Sequence, residues 1–286
     1  MDKNSLTKLE IRKRQLFIQT ITLIVIGLIL IIFAVLSLRA DENKLFVYIP
    51  LILGVLIIIS SFSINIISNQ DLYIETAIFY QSMLLADNSI QVSSKSRQDI
   101  RKHSLEDSIK KLEIFNFEKA RVFTAEEIKH SSNYINKYLL ETIRYNQDDF
   151  IDSFKGYLIS FKISNLKNIN LMASTYKSSL NNMTSIPFDD FYITYNKNLY
   201  EEEDISKDDI KLITSFYKKL YNLFYMVINK NMNNGVKIEN GLVTIFISYD
   251  YNIHGIRRLD NKKGYSLYKE IVLAIINTYD LSKKMK

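Results

Sequence analysis

Two long runs of uncharged residues near the N-terminus limit what this chain can fold into. The runs Leu16–Leu38 and Leu45–Ile67 each contain 23 residues without a charge. As a helix, each would reach about 34 Å, slightly more than the roughly 30 Å hydrocarbon core of a bilayer. Neither run has a polar face, so a soluble core of this size would bury both with difficulty. The sequence therefore predicts two transmembrane helices that form a hairpin over residues 16–67.

A secretory signal is the alternative interpretation of the first run, because basic residues precede it and Ala40 would be the last residue removed. The apolar region of a signal is about 7–15 residues long, and a small residue is expected where Leu38 stands. We therefore predict that the hairpin is not cleaved.

The basic residues that flank the first run predict the orientation of the hairpin. Lys3, Lys8, Arg12, Lys13 and Arg14 precede the run, whereas the loop after it carries Arg39 and Lys44. Because basic flanks stay on the cytoplasmic side, the tail 1–15 should be cytoplasmic, and two spans return the chain there. We expect a multi-pass protein of the bacterial inner membrane with cytoplasmic N- and C-termini.

Composition restricts the chemistry of the remaining 219 residues. Seven of the 37 basic and four of the 31 acidic residues precede residue 68, which leaves 30 and 27 and a charge of +3. This balance does not indicate a specific nucleic-acid binder. The chain has no cysteine, which excludes disulfides, thiolate metal sites and cysteine nucleophiles. Its richness in Lys, Asn, Ile, Tyr and Phe is typical of AT-rich bacterial genomes.

Helical patterns dominate residues 68–150, which we predict to be a helical connector or stalk. The second span should continue as a helix to about Leu85, and an amphipathic helix should follow over residues 97–115. The capping-box pattern "TAEE" predicts a third helix, in which Thr124 caps the first turn and Glu127 reaches back. The apolar face of this third helix would comprise Ile128, Ile135, Leu139 and Ile143.

Residues 151–286 predict an α+β domain with a small β-sheet packed by helices. The runs "YLISFKI" and "FYITY" read as strands, and "SKDD" opens a helix that "NMNNG" closes. Asn240-Gly241 lies between two β-prone runs and predicts a hairpin. The second of these runs, "LVTIFISY", should be a strand covered on both faces, and a last helix should follow near Tyr265. The fold class is therefore a membrane-anchored α+β protein.

The sequence shows no familiar catalytic or cofactor motif. The five glycines after residue 68 are too far apart for a phosphate-binding loop, and no nucleophile elbow is present. The three histidines lie in different segments without metal-type spacing. Adjacent aspartates occur at predicted element boundaries, where they cap helices or solvate turns. We expect no cofactor and favour a protein that is not an enzyme.

Although no catalytic or cofactor motif is present, one basic segment is a candidate ligand site. It follows the predicted central strand, precedes the last helix and contains His254, Arg257, Arg258, Lys262 and Lys263. Open α/β sheets often place ligands at such a position, and arginine forks bind phosphates. We expect a nucleotide or another anionic ligand here. A solvated basic turn is the alternative.

Polar residues also cluster within the second predicted span, at Ser60, Ser61, Ser63 and Asn65. Such side chains can hydrogen-bond between helices, and Gly27 and Gly54 allow two helices to approach closely. We expect helix packing and self-association into a homo-oligomer. A polar pore lining is the alternative interpretation of this cluster.

The layout of spans followed by a cytosolic domain resembles the small two-span effectors of bacterial anti-phage systems, some of which bind nucleotide second messengers. This resemblance implies a non-enzymatic membrane effector or sensor. Its cytosolic domain would bind a ligand or partner, and its spans would oligomerise and perturb the lipid bilayer. The alternatives are a membrane-tethered enzyme acting on nucleotides or lipids, and a membrane scaffold that docks a cytosolic partner.

Overall fold

The computed structural model describes residues 3–39, 44–95, 103–130, 132–146, 149–178, 180, 182–197, 205–224, 233–248 and 261–285. The fold is a mixture of helices and β-sheet. The chain divides into two compact units, residues 1–76 and residues 77–286.

Two long helices dominate the first unit. Helix α1 covers Lys3–Arg39 and helix α2 covers Lys44–Asn88, so the boundary between the units falls inside α2. Among the described residues, one segment is long and apolar enough to cross a membrane by length and composition, Arg14–Leu38 in α1. The apolar segment Val47–Ser63 in α2 is shorter. The first unit thus contains one candidate membrane span by this criterion.

Helices α1 and α2 contact each other along a line of small side chains. The buried residues on this line are Gly27 and Ala34 in α1 and Val47, Gly54 and Ser61 in α2. Successive positions on each helix are seven residues apart, so they lie on one helix face. A Cβ atom added to Gly27 would lie 2.8 Å from the carbonyl oxygen of Gly54. The two backbones therefore approach as closely as the sequence predicts from these glycines.

The second unit is built on an antiparallel β-sheet, which has nine strands in the described part of the chain. The strands are β1 Gln91–Ser94, β2 Lys119–His130, β3 Asn133–Asn146, β4 Asp149–Lys162, β5 Asn170–Ser174, β6 Met183–Phe188, β7 Phe191–Asn196, β8 Asn234–Glu239 and β9 Leu242–Ser248. Their order across the sheet is β1-β2-β3-β4-β9-β8-β5-β7-β6. The sheet is therefore much larger than the small one that the sequence predicts.

Three helices accompany the sheet in the described part of the second unit: α3 covers His103–Lys110, α4 covers Lys207–Leu223 and α5 covers Asn261–Lys283. Helices α4 and α5 cover one face of the sheet. The ring of Tyr279 in α5 contacts Phe161 of β4, and Tyr217 in α4 contacts Phe191 of β7. Side chains of a strand alternate between its two faces, and Phe246 of β9 points to the opposite face. There it meets Phe115 at a centroid distance of 5.2 Å. Both faces of the central strands are thus buried.

Several local predictions are confirmed. Strands β8 and β9 form the hairpin predicted at Asn240-Gly241, and both turn residues have positive φ, 50° and 78°. This is the backbone that a type I′ turn requires. Strand β9 lies between β4 and β8 and is buried from Val243 onwards. Ser206 caps α4, because its side chain accepts a hydrogen bond from the backbone N–H of Asp208. The predicted last helix corresponds to α5.

The helix predicted from Thr124 is wrong. Thr124 lies in β2, which pairs with β3, and these two strands occupy the residues assigned to that helix. Ile128 and Ile135 face each other across the two strands. Ile135 and Leu139 are four residues apart, a spacing that fits one face of a helix and also one face of a strand. Strands β1, β2 and β3 therefore lie within the residues that the helical pattern assigned to the connector.

Candidate functional site

The predicted anion site falls mostly outside the described residues. His254, Arg257 and Arg258 are among the residues that the structure does not describe. Lys262 and Lys263 belong to the first turn of α5, but their side chains are also outside the described part. An anionic ligand at this segment stays a prediction.

The polar residues predicted within the second span all lie on α2, but they do not converge on one side. Ser61 is buried and donates to the carbonyl oxygen of Ile58, at 2.7 Å. Ser60 and Ser63 are exposed, and Ser63 donates to the carbonyl oxygen of Ile59. The side chain of Asn65 is outside the described part. The hydroxyl hydrogens of Ser61 and Ser63 are therefore used within their own helix, a common arrangement for serine in helices.

The described part of the second unit contains a largely buried cluster of polar side chains that the sequence did not indicate. We call it the polar core, and it consists of Gln81, Ser94, Glu126, Lys137 and Tyr268. Its centre is an ion pair between Glu126 of β2 and Lys137 of β3, which face each other in the strand register. The side chains of this pair are only 1% and 2% exposed. Charged residues are almost never this deeply buried unless they are paired.

Side chains from two helices complete the hydrogen bonding of Glu126. Its Oε1 accepts from Nε2 of Gln81 in α2 at 2.7 Å and from the hydroxyl of Tyr268 in α5 at 2.9 Å. The same amide nitrogen of Gln81 lies 2.6 Å from Oγ of Ser94 in β1. A buried carboxylate with several donors is stabilised in a low-dielectric interior. The polar core therefore joins the last turns of α2 to three strands and to α5.

Aromatic rings surround the cation of the polar core. Nζ of Lys137 lies 4.4 Å from the ring centroid of Tyr268 and 5.6 Å from that of Tyr157. Both distances are within the range of a cation–π interaction. Burial, together with the negative charge of Glu126, raises the pKa of Tyr268 well above its ordinary value. Tyr268 therefore keeps its proton and serves as a donor to Glu126 over the physiological pH range.

A second group of contacts links the same two helices beside the polar core. Tyr80 of α2 lies 5.6 Å from Tyr268 and 6.0 Å from Tyr265 of α5, between ring centroids. The hydroxyl of Tyr265 donates to Oδ2 of Asp87 at 2.6 Å. Burial raises the pKa of Tyr80 to about 12. Near the other end of α5, Nε2 of His130 lies 3.0 Å from Oδ1 of Asp280. Helix α5 is thus held near both ends.

The polar core holds the strands and helices that contribute to it in one relative position. Removing either charge would leave the other buried without a counter-ion, so the pair favours one relative position of β2, β3, α2 and α5. Among the described residues, no group of three or more His, Cys, Asp or Glu side chains could hold a metal ion. The signal that sequence reasoning missed is the strand spacing of two: Glu126 lies between Thr124 and Ile128, and Lys137 lies between Ile135 and Leu139, so both charges fall on strand faces that are mostly apolar.

Comparisons with known proteins found no relative. No family model matches the chain, and no curated protein and no solved structure matches it.

Proposed function

We propose that this protein is a non-enzymatic bacterial membrane effector or sensor. Its residues 16–67 form a two-helix membrane hairpin that oligomerises and perturbs the bilayer, and its second unit binds a ligand or partner. The observation that carries the proposal is the distribution of side chains between residues 16 and 63 of α1 and α2, where the large apolar residues are mostly exposed and the buried residues described are small.

The exposed apolar surface of α1 and α2 supports a lipid environment. Large side chains outside the line of small residues between α1 and α2 are about half exposed; examples are Ile29, Leu36, Ile52 and Ile59. A soluble monomer rarely exposes a continuous apolar surface of this kind. In a bilayer, lipid covers large residues at no cost, and small residues at the helix contact allow close packing. The glycine contact between Gly27 and Gly54 has this character.

The length of α2 supports a second span. The apolar segment Val47–Ser63 is continued within the same helix by Ile64, Asn65, Ile66 and Ile67, none of which is charged. Residues 45–67 number 23, which reaches about 34 Å as a helix. With the basic tail retained in the cytoplasm, both ends of the hairpin are cytoplasmic.

Helix α2 also supplies a route by which ligand binding acts on the membrane. It is one continuous helix over Lys44–Asn88, and its last turns carry Tyr80, Gln81 and Asp87. These three residues contact α5 or the polar core. The predicted anion-binding segment leads directly into α5 in the sequence. A ligand that shifts α5 therefore acts on α2 through the buried contacts around Glu126.

Reporter fusions test the membrane part of this proposal. Alkaline phosphatase is active only outside the cytoplasm, and green fluorescent protein fluoresces only inside it. We expect fluorescence and no phosphatase activity from fusions after residues 70 and 286, and the reverse from a fusion within residues 40–43. A fusion after residue 70 that is active only as a phosphatase would contradict the hairpin, and so would a mature N-terminus at Asp41.

Binding measurements test the ligand part. We expect the double variant Arg257→Ala/Arg258→Ala to weaken binding of a nucleotide at least tenfold, because each lost charge-assisted hydrogen bond to phosphate costs about 1.5–3 kcal/mol. The probe is a panel of nucleoside phosphates titrated onto the full chain in detergent. The variant Lys110→Ala/Lys111→Ala removes two exposed charges elsewhere and should bind normally. If both variants bind the nucleotides equally well and their melting temperatures are unchanged, the segment with Arg257 and Arg258 is a solvated basic turn and not a ligand site.

A further inference from the structure

A groove on the second unit lies between helix α4 and the turn that joins β6 to β7. Its volume is about 750 Å³, and it is lined by Phe188 at the end of β6, by Asp189 of the turn and by residues along one side of α4. We call it the basic groove, because the α4 residues that line it include Lys207, Lys211, Lys218 and Lys219. It belongs neither to the polar core nor to the predicted anion segment.

Helical spacing places three of these lysines on one narrow stripe. Lys207 and Lys211 are four residues apart and Lys218 follows seven later, so their side chains project in nearly the same direction over three turns. All three are exposed. The apolar side chains of Ile210 and Phe188 lie beside them in the groove, and Phe188 is 37% exposed. The stripe therefore combines positive charge with a solvent-exposed aromatic ring.

An unsatisfied hydroxyl provides an independent sign that the groove accepts a ligand. Thr214 lies on the same side of α4 as the three lysines and is only 9% exposed. Its Oγ1 is buried and has no hydrogen-bond partner within the described part of the chain. Buried polar atoms are paired in most structures, so an unpaired one requires an explanation. A phosphate oxygen that enters the groove accepts this hydrogen bond if the side chains that cover the hydroxyl move aside.

We propose that the basic groove docks onto anionic phospholipid headgroups of the bilayer in which the chain is anchored, an inference that rests on the proposed membrane anchorage. Each lysine near an anionic membrane surface attracts it, and an exposed apolar ring such as that of Phe188 can insert at the boundary between headgroups and acyl chains. Lys218 contacts Asp189 at 3.3 Å, but both side chains are more than half exposed. Exposed pairs of this kind contribute little, so a phosphate displaces Asp189 readily.

A fluorescent label next to the lysine stripe tests the docking. The chain has no cysteine, so Ser215→Cys gives a single attachment site at an exposed position that lines the groove. The full chain is placed in nanodiscs of phosphatidylcholine, alone or with 30% phosphatidylglycerol. We expect an environment-sensitive label to shift to the blue only with phosphatidylglycerol, and the shift to fade as salt is raised.

Charge variants test whether the three lysines of the stripe are responsible for docking onto the anionic lipid. Replacing Lys207, Lys211 and Lys218 by glutamine should lower the ratio of docked to undocked protein about fivefold per lysine removed. The matched control replaces Lys110, Lys111 and Lys119 by glutamine, which removes three exposed charges elsewhere and should leave the label response unchanged. Alkaline extraction confirms that each variant remains integral, so a failure of anchorage is distinguished from a failure of docking.

Three outcomes would overturn the inference. The first is an equal label response in both lipid compositions. The second is a response reproduced by inorganic phosphate in discs without phosphatidylglycerol, which would show that the groove takes a free anion. The third concerns the acidic run Glu201, Glu202, Glu203 and Asp204, which ends two residues before Ser206 in the sequence, close to the start of α4. If amide substitutions in this run change the response in neutral discs, the run itself occupies the groove.

Discussion

Replacing Lys137 by methionine should lower the free energy of unfolding of the second unit by about 3–5 kcal/mol. Methionine fills a similar volume, so the loss comes from Glu126, which keeps its charge at a side-chain exposure of 1% but no longer has a counter-ion. The lost cation–π contacts with Tyr157 and Tyr268 add to the effect. Chemical unfolding in detergent, followed by circular dichroism of the sheet, measures the change.

Two further variants make this result specific to the buried pair. In Glu126→Gln/Lys137→Met, the glutamine oxygen still accepts from Gln81 and Tyr268 while no charge is stranded, so we expect most of the stability to return. Lys218→Met removes the cation of an exposed ion pair with Asp189 and should cost less than about 1 kcal/mol. A double variant as unstable as Lys137→Met alone would show that the loss comes from the packing and cation–π contacts of Lys137 rather than from an unpaired charge on Glu126.

Local signals predicted those elements whose structure depends on a few adjacent residues. The Asn240-Gly241 turn follows from positive φ at two consecutive positions, which Asn and Gly adopt more readily than other residues. The start of α4 follows from the Ser206 side chain, which binds a backbone N–H two residues later. In both places the interaction that determines the structure lies within four residues, so the local sequence was sufficient to predict it.

The polar core could not be predicted because it depends on pairing between distant parts of the chain. Glu126 stands inside the "TAEE" pattern, where the capping-box interpretation assigned it to a first helical turn. In the structure it lies in β2 opposite Lys137, and Gln81 and Tyr268 reach it from positions 45 residues before and 142 residues after. The strand register that makes this cluster is set by the whole sheet rather than by the local pattern.

The sequence predicted that α1 and α2 pack closely through small residues, but it did not predict which residues of the two helices face each other. Gly27 and Gly54 stood out as small residues in two apolar runs, and the structure places them against each other. Ala34 and Val47 were not singled out, and Ser61 was noted only as one member of a polar cluster, because neither run shows an apolar and a polar face by which an inner side could be recognised. In such helices, side-chain size rather than polarity distinguishes the contact face.

Substituting isoleucine for Gly54 should separate the two helices of the hairpin. A Cβ atom at this position would lie 2.7 Å from the carbonyl oxygen of Gly27 and 2.9 Å from Cγ1 of Ile31, so the backbone of α1 itself has to move. Overpacking typically costs about 1–3 kcal/mol, and a clash with backbone cannot be relieved by a rotamer change. We expect a lower melting temperature in detergent and a longer, broader distance between spin labels at Ile21→Cys and Ile59→Cys, two exposed positions.

The matched control is Val55→Phe, which adds bulk to an exposed position one residue further along α2. Because lipid or detergent accommodates a larger side chain on the outer surface, this variant should keep both the label distance and the melting temperature. An unchanged label distance in Gly54→Ile would show that the helices do not contact each other through the glycines. If both variants were equally destabilised, Val55 would itself be in contact with protein, and this part of the exposed apolar surface would be an interface between copies of the chain, as in the proposed oligomer, rather than a surface covered by lipid.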